Sequence, residues 1–433
     1  MQARDPKSII DLGAMSVAQW LAVLVTVGLN AMDGFDVLSI SFASPGIAHD
    51  WGVDKATLGW VLSMELVGMA LGSILLGGVA DRFGRRPTIL ACLLAMAVGM
   101  FGAAHAGAVP TLLSWRLLTG LGIGGMLAAI NAAAAEFSSQ RWRSVAMAFM
   151  VIGYPVGGVV GGMVVQHLLI SGSWREVFRF GAWATAACLP LVWFLMPESV
   201  AFQDRRRKPG ALAAVNRTLT RFGHQPVHTL STVTVETARQ SVMDIFRPGL
   251  LATTVLMSLG YFAHVTSFYF IIKWVPKLVV DMRFDPRAAA EVLTWANVGG
   301  AAGVALFGFI ATRFGLKALT IVTLLGATAM VAWFGHGSTD LASLARTVAF
   351  AGVFTNGAIA GFYLLFAKVF PTHVRATGTG FAIGAGRGGS ALAPIVAGYL
   401  FQAGFGLQTV AVLMAGGSLL AAVALLALKV RDT

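Results

Sequence analysis

Charge is scarce in this sequence. Only 12% of its 433 residues are Asp, Glu, Lys or Arg and 57% are hydrophobic, whereas a soluble globular domain carries about 25% charged residues. Cysteine is nearly missing: the two present, Cys92 and Cys188, both fall in apolar runs. That excludes a disulfide framework and a cysteine-based metal site. No nucleophile–base or metal-ligand spacing supports an enzyme. The glycine-rich runs lie in apolar stretches rather than at strand-to-helix turns, so no cofactor, metal or nucleotide is expected. Acidic residues are the scarcer sign, 19 against 31 Lys and Arg, giving a net charge of +12. In a soluble protein that excess would suggest nucleic acid. Here most of the basic residues fall on one set of alternating loops and tails, with Arg116, Arg346 and Arg387 inside apolar runs. Such asymmetry orients a membrane protein with its basic loops in the cytoplasm, so no nucleic-acid partner is expected.

What the chain has instead is apolar length. Runs of about 20 residues, each enough to cross the roughly 30 Å hydrocarbon core, recur along it. Twelve are expected, the first over residues 17–40, the seventh over 250–273 and the last over 407–428. The fold class is therefore an all-α membrane protein. The polar start, residues 1–11, leads straight into a full-length span, so no cleavable signal peptide is expected and both termini fall in the cytoplasm. Polar residues 197–248, with the run Asp204-Arg205-Arg206-Arg207-Lys208, read as a solvated cytoplasmic linker.

The chain also repeats itself. Residues 77–87, GGVADRFGRRP, form a tight basic turn between the second and third spans, and residues 308–318 form a degenerate copy. Arg82-Phe83-Gly84 and Arg313-Phe314-Gly315 are 231 residues apart; Arg143 and Phe149 match Arg375 and Phe381 at 232. The expected organisation is thus a six-span bundle over 1–196, the linker over 197–248 and a pseudo-symmetric six-span bundle over 249–433. Repeated six-span halves with binding at mid-membrane are the architecture of the major facilitator superfamily, and GGVADRFGRRP resembles its signature. Asp81, Arg82, Arg85 and Arg86, with Glu136 and Arg143 at neighbouring inner helix ends, are expected to form an ionic gating latch that ties helix ends together in the outward-facing state and is broken in the other. Thr312 stands where Asp81 would repeat.

An ionisable residue inside a span is expensive and becomes a functional candidate. Asp33 and Asp36, one helical turn apart, share a face. With the first span ending at residue 40, Asp33 lies roughly 10 Å from its outer end, and Arg116 lies at a similar depth in the fourth span. Glu65 joins that layer. Asp33, Asp36, Glu65 and Arg116 are the expected proton-coupling group; a permanently paired structural network is the alternative. Arg387, between glycines near the middle of the eleventh span, offers a planar fork suited to a carboxylate, or else a structural pair with a first-half acid. His264, Tyr261, Tyr269, Trp295, Asn297 and Asn356 are further substrate-binding candidates, with Phe268, Trp274 and Phe362 as possible ring-lining walls. A packed neutral histidine and lipid-facing or core aromatics are the plainer alternatives.

These residues carry a narrower likeness. Asp33-Gly34-Phe35-Asp36 resembles the DG(F/Y)D-type signature of the aromatic acid:proton symporters, a bacterial branch of the superfamily. Arg116-Leu117-Leu118-Thr119-Gly120-Leu121-Gly122 is similar to its fourth-span pattern, and Pro371-Thr372-His373-Val374-Arg375-Ala376-Thr377-Gly378 followed by Gly386-Arg387 to its tenth-to-eleventh segment. The likeness spans essentially the whole chain. It implies uptake of a benzoate-, hydroxybenzoate- or protocatechuate-type acid with protons across the bacterial inner membrane, by a monomer. It further implies transport-essential roles for Asp33, Asp36, Arg116 and Arg387. Glu65 departs from the branch, where a small or apolar residue is expected. The rivals are a proton symporter for an aliphatic acid such as a muconate or dicarboxylate, a drug or aromatic exporter, and a sensing protein on the same scaffold.

Overall fold

The computed structural model describes residues 5–76, 78–207, 209–230, 242–371 and 374–428. Gly77 of the basic turn, Lys208 of the linker, and Thr372 and His373 lie outside the described residues. The chain runs as α1 (Pro6–Leu12), α2 (Val17–Trp51), α3 (Lys55–Leu76), α4 (Val79–Phe83), α5 (Arg85–Ala104), α6 (Val109–Phe137), α7 (Arg143–Ser171) and α8 (Arg175–Leu195). After α9 (Val200–Arg206) and α10 (Ala211–Arg221) come α11 (Pro248–Asp281), α12 (Pro286–Ile310), α13 (Leu316–Phe334), α14 (Leu341–Val369), α15 (Arg375–Gln402) and α16 (Leu407–Ala427). Among the described residues there is no strand.

Local chemistry sets the helix ends. Ser16 and Gln19 close a reciprocal capping box at the start of α2, and Gly52, at φ +58°, ends it. Asp285 and Asp340 cap α12 and α14 with their carboxylates. Such caps satisfy N–H groups that the helix itself leaves free. Eleven helices among the described residues are long and apolar enough to cross a bilayer. The expected eleventh span, α15, is a 28-residue helix carrying Arg387 amid glycines, and that composition keeps it out of these eleven.

Two spans are longer than the sequence pattern suggests. The first continues past residue 40 to Trp51, straight through Ser41, Ser44 and Pro45. Pro45 withholds the N–H that Ser41 O would accept, and the Ser44 hydroxyl donates to that carbonyl instead, at 2.8 Å. The seventh likewise continues past Lys273 and Pro276 to Asp281. Proline and polar residues persist in membrane helices where neighbours re-satisfy the backbone.

Without a hydrophobic drive inside lipid, helices associate by close packing. Gly120 of α6 is seated on the Glu65 carbonyl of α3, where any Cβ would collide. Gly34 of α2 is seated in the same way on the Tyr154 carbonyl of α7. Between helices of the first and second halves of the chain, α3 packs on α15, α7 on α12 and α2 on α11. The linker folds back on the inner ends of the first-half helices: Phe222 stacks edge-on with Phe137 at 5.5 Å, and His224 Nε2 meets Gln19 Oε1 at 3.1 Å.

Candidate functional site

Lengthening α2 moves its acids. Asp33 stands 18 residues before Trp51, so it lies roughly 27 Å from the outer end rather than 10 Å, near the middle of the helix. Gly120, one turn after Arg116, lets α3 and α6 touch, and this brings Glu65 onto Arg116. The pair is an ion pair between Arg116 Nη2 and Glu65 Oε2, both side chains 0% exposed. Arg116 Nη2 also donates to the Asp36 carbonyl at 3.0 Å, Nη1 contacts the Met100 sulfur at 2.9 Å, and the guanidinium lies over the Phe178 ring at 5.3 Å. Asp36 Oδ2 accepts from Thr185 Oγ1 at 3.4 Å. Asp36 Oδ1 and both Asp33 carboxyl oxygens are buried without a hydrogen-bond partner among the described residues. The four residues expected to share a layer do share one, but its members differ: Glu65 is ion-paired through Oε2 with its Oε1 unpartnered, and neither aspartate forms an ion pair among the described residues.

A fifth member was not anticipated. Lys273 reads in the sequence as the charged end of the seventh span, where a loop begins. With α11 running on to Asp281, it is instead fully buried, its Nζ 3.6 Å from Glu65 Oε2 and donating to the Val37 carbonyl. No periodicity signals this, because the burial depends on α2 and α3 of the other half.

Arg387 lies 12 residues into α15, half-buried. Among the described residues its guanidinium forms no ion pair. Its electrostatic neighbours are Tyr154, Tyr261, Tyr269 and Tyr363, four of the five tyrosines in the chain. Gly386 fits against the Tyr261 ring, so α15 carries the arginine directly to α11. Tyr261 and Tyr363 phenols meet at 3.2 Å, and Tyr363 remains 45% exposed. Tyr154 of α7 and Tyr269 of α11 lie within electrostatic reach of each other across the two halves. Toward the inner end of the same α15 face, Gly380 and Gly384 border open space. Asp33 also lies within electrostatic reach of Arg387. Of the sequence candidates, Tyr261 and Tyr269 belong to this group. Tyr154 and Tyr363 were missed, and the rarity of tyrosine is the one signal that singled them out.

Other candidates sit elsewhere. His264 is fully buried, with Nδ1 to Ser418 Oγ and Nε2 to Thr355 O both at 3.0 Å, and its ring stacks on Phe362. Both ring nitrogens are spent inside the second-half helices, so it presents nothing to a ligand here. Trp295 projects from the exposed stripe of α12 shared with Val298 and Phe309, a lipid-facing surface rather than a cavity wall. Asn297 bonds the Leu293 carbonyl and abuts Gly158 in the α7–α12 seam. Asn356 bonds the Gly352 carbonyl and packs on Gly300 between α12 and α14. Phe362 and Trp274 are fully buried, Trp274 donating to the Pro394 carbonyl at 3.2 Å, and Phe268 packs edge-on against Tyr269. Arg346, at the exposed end of α14, faces Asp340 at 3.8 Å.

At the inner ends, Arg85 makes two parallel bonds to Glu136, at 2.9 and 3.1 Å, and an ion pair with Asp81 at 2.7 Å. Arg143 pairs with Asp11 and donates to the Ala135 carbonyl at 3.0 Å. Arg86 donates to the Trp193 carbonyl, and the Arg82 carbonyl accepts from Arg206. Glu198, which sequence reasoning did not single out, accepts the N–H groups of Arg85 and Arg86 at 3.0 and 3.3 Å and so caps α5. Burial pushes its carboxyl up, while the N–H bonds from Ser199, Arg85 and Arg86 pull it back. All these contacts join first-half helices to one another or to the linker.

The family model described as Major Facilitator Superfamily matches residues 26–290 and again 257–433. The chain belongs to the major facilitator superfamily. This major facilitator is 30% identical to a gallate transporter of Pseudomonas putida over 98% of its own length and 94% of that protein's. It is 28% identical to the 4-hydroxybenzoate transporter PcaK of Acinetobacter baylyi, over 89% and 86%, and 26% identical to a benzoate transport protein of the same organism, over 91% and 86%. In fold it matches the inward-open xylose transporter XylE from E. coli with a TM-score of 0.74, at 16% identity and 96% coverage of both chains. It is a multi-pass membrane transporter, not an enzyme.

Proposed function

We propose that this major facilitator imports a small aromatic carboxylate together with protons across the bacterial inner membrane. Alternating access is provided by two six-helix bundles, residues 1–196 and 249–433, joined by a cytoplasmic linker over 197–248. The observation that carries this reading is Arg387: a half-buried guanidinium at mid-helix, free of any ion pair among the described residues, with four phenols within electrostatic reach. Such a fork binds a carboxylate in two parallel bonds. Tyrosine rings offer stacking faces and hydroxyl partners to a flat hydroxylated ring. The printed names of the relatives, gallate, 4-hydroxybenzoate and benzoate transporters, support the same class.

Asp33 and Asp36 take the proton-coupling role, since they keep unpartnered carboxyl oxygens at this depth and, unlike Glu65, form no ion pair among the described residues. The Arg85–Glu136–Asp81 cluster is made here within the first half, so in this reading it clasps first-half helix ends to one another and is not the element that parts between the halves. The conformation reads as inward-facing. Contacts across the halves gather at the outer ends and mid-depth, such as Lys55 with Asp281 at 3.7 Å and Trp60 with Tyr399 at 3.4 Å, while Gly380 and Gly384, toward the inner end of α15, border open space.

Uptake into proteoliposomes tests the proposal, with radiolabelled gallate and 4-hydroxybenzoate as probes. Accumulation should need an acid exterior, collapse with a protonophore, and be competed by benzoates but not by aliphatic dicarboxylates. Efflux driven by the same gradient would make the protein an exporter, and competition by muconate alone would move it to the aliphatic class.

A further inference from the structure

Lys273 belongs to α11 of the second half, yet both partners of its ammonium, Glu65 Oε2 and the Val37 carbonyl, belong to the first half. It sits 8 residues from the outer end of α11, hence roughly 12 Å deep, beneath the Lys55–Asp281 contact that also bridges the halves. The site is closed: Lys273, Glu65 and Arg116 are each 0% exposed. A buried ammonium needs both a counter-charge and hydrogen bonds, and here these exist only while α11 is pressed against α2 and α3. In the alternating-access reading, parting of the outer ends withdraws Lys273 from the layer and leaves it to water.

The charge balance of the layer changes with that movement. The first half supplies three acids, Asp33 and Asp36 on α2 and Glu65 on α3, against the single Arg116 on α6. Thr185 on α8, Tyr154 on α7 and Tyr269 on α11 are its polar neighbours, and Arg387 on α15 faces Asp33. Two acids are therefore in excess when Lys273 is out, and one when it is in. We propose that Lys273 is a tethered counter-ion that takes the place of one proton in the acid layer when the outer ends close. The proton it replaces leaves a carboxyl of the layer and departs along the Arg387 side, where Gly380 and Gly384 border open space. Conversely, protonation of the layer displaces Lys273 and lets the outer ends part. This deepens the proton-coupled import reading and rests on it for the direction of the proton. The tie between protonation and the outer seam can be tested without transport.

The test uses spin labels at H49C on α2 and Q402C on α15, both exposed outer positions, with Cys92 and Cys188 replaced by serine. Electron–electron distances are read on purified protein in detergent across a pH series. The outer ends of the wild-type background should separate as the pH falls. K273Q should lose that dependence, and K273R should keep it and serve as the folding control. In proteoliposomes carrying labelled 4-hydroxybenzoate, the proton-to-substrate ratio from reversal potentials should drop by one in K273Q. A K273Q seam that follows pH as the wild type does, or a wild-type seam indifferent to pH, overturns the proposal. A pH-sensitive, Lys273-dependent seam in a protein that accumulates no aromatic acid would instead sink the import reading and leave Lys273 as the counter-ion.

Discussion

Lys273 reaches from α11 across the seam between the two halves of the chain to Glu65 of α3, 3.6 Å away, inside a layer where both side chains are wholly shielded from solvent. Glu65 is thereby held twice, by Arg116 from its own half and by Lys273 from the other. Asp33 and Asp36, one turn apart on α2, keep unpartnered oxygens in the same layer. This division among three carboxyls, one held by two cations and two in no ion pair among the described residues, organises the expectations that follow.

Removing the Asp36 carboxylate as Asp36→Asn should abolish gradient-driven accumulation while leaving exchange of labelled for unlabelled acid measurable. Accumulation and exchange are both read in proteoliposomes. Accumulation that survives the substitution would take Asp36 out of the coupling role.

Arg387→Lys keeps a charge but loses the planar fork, so binding of a benzoate should weaken by roughly tenfold or more, the scale of one charge-assisted hydrogen bond at about 1.5–3 kcal/mol. The neutral amide of the same acid should be nearly unaffected. Calorimetric titration with the acid–amide pair reads the difference; equal losses for both would reject the carboxylate contact.

His264→Ala should act on stability rather than on the ligand. It strands the Ser418 hydroxyl and the Thr355 carbonyl inside the second-half helices, a cost of about 1–3 kcal/mol for a buried group left unsatisfied. The melting temperature in detergent should fall while affinity for the acid holds. An unchanged melting temperature with weakened binding would return His264 to the cavity.

Gly34→Ala places a Cβ against the Tyr154 carbonyl and forces α2 from α7, an overpacking penalty of about 1–3 kcal/mol. Gly28→Ala, on the same helix but bordering open space, is the control and should be neutral in the same unfolding assay.

The linker should respond to acid. Burial holds the His224 imidazole below its ordinary value, so the unfolded chain binds a proton more readily than the docked one. The stability this contributes is present above the ordinary imidazole range and is lost as pH falls through it. Limited proteolysis within the 197–248 segment should accelerate below about pH 6.5, and His224→Gln should flatten that response.

Helix count and repeat were legible because they rest on local or periodic signals: apolar length and a 231-residue echo of Arg-Phe-Gly. Asp33, Asp36, Glu65, Arg116 and Arg387 were equally legible, since a charge in an apolar run stands out by itself. Depth was not. Residues 40 and 273 read as span ends, and only the hydroxyl of Ser44 and the packing around α11 show that the helices continue past them through Pro45 and Pro276. His264 and Trp295 were misjudged for a related reason: a helical residue's type does not say which face meets ligand, neighbour or lipid.

By itself, then, the sequence determined that this chain crosses a membrane many times, repeats its halves, and keeps a few charges in lipid that demand partners. Only the tertiary structure decided who those partners are. Lys273 became an intramembrane cation, and four scattered tyrosines came within electrostatic reach of Arg387, because both arrangements are made between helices distant in sequence. The free energy of a buried charge depends on what other helices bring within a few ångströms of it, and no local pattern along the chain encodes that.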